Sequence, residues 1–290
     1  MLSQLPKRAA VFGLYTAVLL AANVAVLRAL VALGHGNATA SHHIAVPFVT
    51  LMLLYLDRAK VFAACQWSKL GGVILALGVG LMVVARVGGV GAVDPLMASV
   101  AGLVIGWLGG FLLCFGWNAT RAALFPLLFL VFAIPIPAAA ISEATAFLKE
   151  GSTDATAMLF SVTGTPYNRD GFTFFVPGFA IEVADECSGI RSGIATVMTS
   201  LLAGHGLLHR TWAKTLLVLV SVPVTIVKYG IRIVSLTLLA THVDPGFLTG
   251  QLHHEGGIAF FAVGLVLLFP FLMLLRRLEG LQPGLERSSA

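Results

Sequence analysis

Residues 186–192 read ECSGIRS and lead directly into an apolar stretch, residues 193–207. An alternating segment, residues 179–185, precedes the motif. The pattern therefore predicts a cysteine at the start of a membrane helix, on the boundary between water and lipid. Unpaired backbone N–H groups and the positive end of the helix dipole favour a thiolate at such a position. Because a thiolate attacks carbonyl carbon, Cys187 is the best candidate nucleophile in the chain.

The composition is typical of a membrane protein with several spans. Of the 290 residues, 58% are hydrophobic and 11% are charged, whereas a soluble domain carries about 25% charged residues. The formal net charge is +5, but most basic residues fall in short loops between apolar stretches, so the charge does not predict nucleic-acid binding. The apolar run after Lys7 and Arg8 is longer than the core of a signal peptide, so we expect a retained first span.

Cysteine usage adds little beyond Cys187. The chain has three cysteines and no CxxC pair, so it predicts neither a disulfide framework nor a redox couple. A lone cysteine in a membrane protein can also be a small packing residue, and we interpret Cys65 and Cys114 in that way.

Hydropathy predicts an all-α polytopic membrane protein with about eight transmembrane helices. The predicted spans are residues 10–31, 43–56, 70–85, 96–116, 122–140, 187–207, 215–241 and 257–275. We expect residues 1–290 to form a single integral membrane domain.

The distribution of Lys and Arg predicts the orientation of these spans. With the N-terminus inside, the inner segments carry eleven of the 18 basic residues and the outer connections carry three. This asymmetry predicts that both termini are cytoplasmic. Cys187, Arg232, His253 and His254 then all face outward at a similar membrane depth.

The connection between spans five and six, residues 142–186, is predicted to lie on the extracytoplasmic side. Its apolar clusters between residues 146 and 160 indicate a short amphipathic helix at the membrane interface. Residues 172–183 have β character around a break at Pro177-Gly178. This element could present backbone edges to an extended peptide, or it could simply pack over the helices.

Arg232 lies inside an otherwise apolar stretch. A guanidinium in a membrane helix usually lines a polar cavity and has a functional role, although it can also reach the headgroups along its apolar stem. Lys228 is one helical turn away and would repel it, so an acidic partner is expected. Asp185 and Glu186 are the candidates.

Two histidines, His253 and His254, precede the last predicted span. An imidazole near a thiol can accept and then donate a proton near neutral pH, but an interfacial histidine can equally cap a span. The chain has no HExxH motif, and no cysteine has the spacing of a metal ligand. We therefore predict no metal and no cofactor.

Taken together, these residues resemble the exosortase/archaeosortase family of membrane cysteine proteases and transpeptidases. The matching positions are the ECSGI motif at 186–190, Arg232-Ile233, His253 four residues before Gly257, Phe260-Phe261, and residues 125–137. The resemblance implies a catalytic core at residues 122–275. It also implies a bacterial inner-membrane location and exported protein substrates. Their C-terminal signal would combine a short motif such as Pro-Glu-Pro, an apolar helix and a basic tail.

The resemblance also implies roles for individual residues. Cys187 would be the nucleophile, Arg232 the transition-state stabiliser and His253 the third catalytic member, with His254 as the alternative histidine. The supporting positions are Glu186, Ser188, Gly189 and Tyr229. Family members often have Asn three residues before the arginine, where this chain has Tyr229, so we expect different hydrogen bonding around Arg232.

Two other functions fit parts of the same pattern. A transporter or lipid-handling protein would line a path with Arg232 and the histidines, and it would tolerate loss of the Cys187 thiol. A thiol redox protein would need a partner for its single outward cysteine, and the sequence supplies none nearby. We expect contacts with membrane lipids and none with nucleic acid, while hydrolysis and transfer to an acceptor are both left open.

Overall fold

The structure is a computed structural model that describes residues 5–36, 42–88, 91, 93–183, 190–244 and 257–280. These residues are mostly helical, as the hydropathy pattern predicts. The chain divides into two compact units, Met1–Pro137 and Ala138–Ala290. The boundary falls inside the predicted catalytic core, residues 122–275, whose extent stays a prediction.

The first unit is built from helices. They are α1 (Leu5–Ala22), α2 (Val24–Gly36), α3 (His42–Leu56), α4 (Arg58–Val61), α5 (Lys69–Arg86), α6 (Pro95–Ala122) and α7 (Leu124–Phe129), followed by a 3₁₀ turn at Leu130–Ala133. Phe111, Cys114 and Phe115 of α6 form the centre of its core, and Cys65 packs against them. Cys65 and Cys114 are therefore packing residues.

The second unit combines helices with a small sheet. Its elements are α8 (Ala138–Thr163), β1 (Asn168–Asp170), β2 (Thr173–Val176), β3 (Phe179–Glu182), α9 (Ile190–Leu207), α10 (Thr211–His242) and α11 (Gly257–Gly280). The strands form one antiparallel sheet in the order β1-β2-β3. The short amphipathic helix predicted between residues 146 and 160 is part of α8, which has 26 residues. The extracytoplasmic placement of α8 and the sheet stays a prediction.

Five described helices are long and apolar enough to cross a membrane: α1, α5, α6, α10 and α11. A sixth span results if the broken pair Leu124–Ala133 and Ala138–Thr163 is taken as one. These helices identify a multi-pass membrane protein. They are fewer than the eight predicted spans, because α3 is short, the predicted span 122–140 is interrupted, and the helix Ile190–Leu207 is not among those long and apolar enough to cross.

Asn23 interrupts the first predicted span, residues 10–31. Its side-chain Nδ2 donates to the Leu19 carbonyl oxygen at 2.8 Å, and its Oδ1 accepts from Arg86 Nη2 of α5 at 2.8 Å. An asparagine side chain that bonds a nearby carbonyl competes with the helical backbone. Consequently α1 ends at Ala22, and α2 begins at Val24.

Two prolines interrupt the fifth predicted span, residues 122–140. Residues 134–137 read IPIP and are not helical. Proline has no N–H to donate, and it disfavours helical backbone at the preceding residue. The prediction of one helix across this stretch is therefore wrong. By contrast, the predicted end of the fourth span at residue 116 coincides with a break in α6 at Gly116, whose φ is 81°.

Helices α5 and α6 form an antiparallel pair in which glycines allow close contact. A Cβ built on Gly78 would lie 2.6 Å from Gly106 Cα, and one on Gly109 would lie 2.7 Å from Leu75 Cα. Because these neighbours are backbone atoms, they cannot move aside as a flexible side chain would. Small residues allow such close approach in membrane helix pairs, where dispersion contacts supply much of the association energy.

We expect Gly78→Ala to destabilise the protein, because the two helices must move apart to accept the added methyl group. Gly80→Ala is the matched control, since a Cβ at Gly80 meets nothing within 4 Å and alanine is the better helix former. Thermal unfolding in detergent should therefore place Gly78→Ala several degrees below Gly80→Ala. Equal midpoints for the two variants would contradict the close packing of α5 on α6.

The sheet of the second unit is fixed to the helices by its apolar face. Phe174, Val176 and Val183 are buried against Ile233 and Val234 of α10. At the opposite edge of the sheet, Arg169 Nη1 donates to Asp154 Oδ1 of α8 at 2.7 Å. The sheet therefore lies against the turn of α10 that directly follows Arg232.

The hairpin between β2 and β3 follows from its turn residues. Pro177 presets φ for the first turn position, and Gly178 takes a φ of 100° at the second. This is the break predicted from the sequence. Strand β1 has no such signal, because Asn168, Arg169 and Asp170 are polar and exposed.

Candidate active site

The structure describes two of the predicted site residues, Arg232 and Tyr229, both on α10. The other predicted positions lie outside the described residues: Glu186, Cys187, Ser188, Gly189, His253 and His254. Asp185, one of the candidate acidic partners, also lies outside them. The described helices on either side of these positions nevertheless locate the chain ends that lead to them.

Three helices that carry or follow the predicted catalytic residues pack on one another. Helix α9 begins at Ile190, three residues after Cys187, and α11 begins at Gly257, four residues after His253. Contacts from Ser192 in the first turn of α9, and from Phe260 in the first turn of α11, both reach the segment 228–232 of α10. The starts of α9 and α11 thus lie beside the same two turns of α10.

Arg232 is half-buried and faces α11. Its guanidinium carbon lies 5.6 Å from the centre of the Phe260 ring, within the range of a cation–π contact. The ring covers the guanidinium and holds it beside the first turn of α11. A guanidinium kept in this way can present its N–H groups to an anionic oxygen in a fixed plane.

Lys228 is the most deeply buried charged residue among those the structure describes, with 1% of its surface exposed. Its Nζ donates a hydrogen bond to Ser192 Oγ and lies 4.4 Å from the centre of the Tyr229 ring. The side-chain stem runs past α11 at Gly264, where a Cβ would lie 3.0 Å from Lys228 Cδ. Gly264 therefore leaves the space that the lysine stem occupies.

Tyr229 completes a small polar cluster with Ser192 and Lys228. Its hydroxyl lies 2.6 Å from Ser192 Oγ, and either oxygen can be the donor. Tyr229 is itself buried, with 5% exposed. Tyr229, which stands where the family resemblance leads us to expect asparagine, thus supplies a polar contact between α10 and α9.

The sequence predicts an acidic partner for Lys228 and Arg232. Among the described residues, the hydrogen-bond partner of Lys228 is the Ser192 hydroxyl and not a carboxylate. Lys228 and Arg232 are one turn apart on α10, and like charges at this spacing repel. A carboxylate from Asp185 or Glu186 remains the prediction for this position.

From the sequence, Lys228 is expected mainly to repel Arg232. Its hydrogen bond to Ser192 is not predicted. One signal was present. Ser192 and Lys228 are both polar residues inside apolar stretches, and polar groups in membrane helices bond to each other across helices. Nothing in the sequence indicated that Gly264 makes room for the lysine.

Comparison with protein families gives a match over most of the chain. The family model described as transmembrane exosortase matches residues 31–270. The chain belongs to the transmembrane exosortase family. No curated protein and no solved structure gave a significant match.

The exosortase match covers both compact units and all the predicted site positions. It is wider than the motifs that suggested the family, because it includes the helices from residue 31 onward. Exosortases are membrane proteases or transpeptidases that act on exported proteins. The five candidate spans agree with a transmembrane member of this family.

We expect Ser192→Ala to lower the free energy of unfolding by about 1–3 kcal/mol, because it leaves the buried Lys228 amine without its acceptor. The loss should be much smaller in a Lys228→Met background, where no amine needs a partner. Unfolding by heat or denaturant is measured for the native chain, the two single variants and the double variant. The four unfolding free energies give the coupling energy between positions 192 and 228.

Thr199→Ala is the control for this prediction, since the Thr199 hydroxyl donates to the Ala195 carbonyl oxygen of its own helix at 2.8 Å. Its loss should be small in both backgrounds. If Ser192→Ala costs the same with Lys228 as with Met at that position, the contact does not hold the helices together.

Proposed function

We propose that this exosortase is a cysteine protease or transpeptidase that cleaves C-terminal sorting signals of exported proteins through a thioester. The observation that carries the proposal is the convergence of α9 and α11 on the Arg232 segment of α10. Cys187 and His253 lie three and four residues before those two helices. The arrangement supports a site in which a thiol, a guanidinium and an imidazole act on one peptide bond.

The reaction begins at the Cys187 thiolate. The sulfur attacks the scissile carbonyl carbon, and the carbonyl oxygen becomes an oxyanion that accepts hydrogen bonds from Arg232. Collapse of this intermediate breaks the C–N bond and leaves a thioester on Cys187. His253 takes the thiol proton before attack and gives it to the departing amine, with His254 as the alternative for this role.

The second half of the reaction removes the acyl group. Water attacks the thioester in proteolysis and releases a new carboxyl terminus. An amine of an acceptor molecule attacks it in transpeptidation and forms a new amide. In both cases the imidazole accepts the proton of the nucleophile, and the Cys187 thiol is regenerated.

The proposed substrate matches this site by its position in the membrane. Its apolar helix enters the bilayer among the spans, and its basic tail stays on the cytoplasmic side, where positive charge is retained. The short motif before the apolar helix then lies at the outer surface beside Cys187. The proposal includes the orientation that the Lys/Arg distribution predicts, with both termini in the cytoplasm of a bacterial cell and the site on the outer face of its inner membrane.

The direct test is Cys187→Ala in membranes that contain a secreted reporter with a C-terminal apolar helix and basic tail. We expect the native chain to shorten the reporter, seen as a mass shift, and the variant to leave it intact. Cys65→Ala is the control, because Cys65 packs in the core of the first unit and has no proposed chemical role. Normal cleavage by Cys187→Ala would remove the proposed mechanism, whereas a reporter left intact by the native chain would favour the transporter or lipid-handling role.

Arg232→Lys tests the oxyanion role separately. An ammonium keeps the charge but cannot reproduce the planar set of N–H donors, so kcat should fall by about 10²–10³-fold. Arg191→Lys is the matched control, since Arg191 is exposed in the first turn of α9. Near-native turnover by Arg232→Lys would limit the guanidinium to a structural role.

A further inference from the structure

Strand β3 is an edge of the sheet, and its free side carries backbone groups that no other described strand pairs. The strand order β1-β2-β3 leaves β3 bonded to β2 alone. The Val183 N–H donates to the Phe172 carbonyl oxygen at 3.0 Å, which fixes which residues face β2. Hydrogen-bonded pairs alternate along an antiparallel ladder. The backbone N–H and C=O groups of Phe179 and Ile181 therefore also point toward β2, while those of Ala180 and Glu182 point away from it.

The free edge is accessible. Ala180 and Glu182 are exposed, while Phe179 and Ile181 are half-buried against the core. An alanine at the centre of the edge leaves room for the side chains of an incoming strand. Exposed edges of this kind accept an added strand through main-chain hydrogen bonds.

The edge strand is also close to the proposed site, by packing and by chain connection. The sheet rests on Ile233 and Val234, the two residues after Arg232. Cys187 follows Glu182 by five residues, a length that can span at most about 18 Å. A substrate strand of about six residues covers about 20 Å, so a peptide paired with β3 can reach the nucleophile.

We propose that β3 binds the substrate as an added strand, with the extended segment before its apolar helix paired to Ala180 and Glu182. This inference rests on the proposed function, since it assigns the binding mode of the same peptide substrate. Main-chain hydrogen bonds give affinity without reading side chains, so the motif is selected elsewhere, near Cys187. The occupant is an extended polypeptide, and no cofactor or lipid is required.

Ala180→Pro removes one outward N–H of β3 and leaves the ladder to β2 intact, because the Ala180 N–H does not face β2. With a reporter that the native chain cleaves, we expect KM to rise about fivefold, equivalent to one net hydrogen bond, with kcat little changed. Ala180→Val is the matched control, since it keeps the N–H and is a good strand residue. Equal KM values for Pro and Val at this position would overturn the proposal.

Cross-linking tests the same edge without cleavage and without proline. In a Cys187→Ala background we place one cysteine by Ala180→Cys or Glu182→Cys and scan single cysteines through the reporter segment. The Cys187→Ala chain alone measures background from Cys65 and Cys114. We expect disulfide yield to alternate with a period of two along the reporter, and its maximum to move by two residues between the two positions.

The outcomes separate the binding mode from the chemistry. An even or absent cross-linking pattern overturns the added strand, even if Cys187→Ala abolishes cleavage as proposed. A disulfide-linked dimer of two Ala180→Cys chains, in place of a reporter adduct, would assign the edge to a second copy and also overturn it. Alternating cross-links in a chain whose cleavage does not need Cys187 would support the strand and contradict the proposed mechanism.

Discussion

The hydroxyl of Ser192 is the contact on which the geometry of the second unit depends. It accepts a hydrogen bond from Lys228 and lies 2.6 Å from the Tyr229 hydroxyl, so it joins the first turn of α9 to the centre of α10. Two buried polar groups from α10 thus contact the same oxygen of α9. Because the alternative for a buried amine is to have no partner at all, the contact is costly to break. It therefore fixes the register between the helix that follows Cys187 and the helix that carries Arg232.

The same two turns of α10 organise the rest of the site. Phe260 and Gly264 of α11 lie beside Arg232 and Lys228 respectively, and the sheet packs on the next two residues of α10. One short segment thus receives the start of α9, the start of α11 and the sheet that carries β3. In the proposed mechanism, this segment is the common support that brings the nucleophile, the oxyanion donor and the proton carrier to one peptide bond.

Sequence alone predicted those features that depend on local chemistry. Hydropathy located α5, α6, α10 and α11 with ends within about six residues, its fourth span ends where α6 breaks at Gly116, and Pro177-Gly178 marked the hairpin. It failed where a distant partner decides the outcome. Asn23 breaks a helix together with Arg86, and the space for Lys228 depends on Gly264. Residues 134–137, IPIP, are a local signal that the hydropathy average does not detect. Hydropathy measures how apolar a residue is and takes no account of the backbone N–H that proline lacks.

In the proposed mechanism, Cys187 carries the acyl group of the substrate as a thioester. The most direct measurement is an acid quench of the native chain with a cleaved reporter during turnover, followed by mass analysis of the peptide that contains Cys187. We expect an adduct on that peptide whose added mass equals that of the upstream cleavage product less one water, and which hydroxylamine removes. Reporter cleavage with no adduct on Cys187, or with the adduct on another residue, would contradict it.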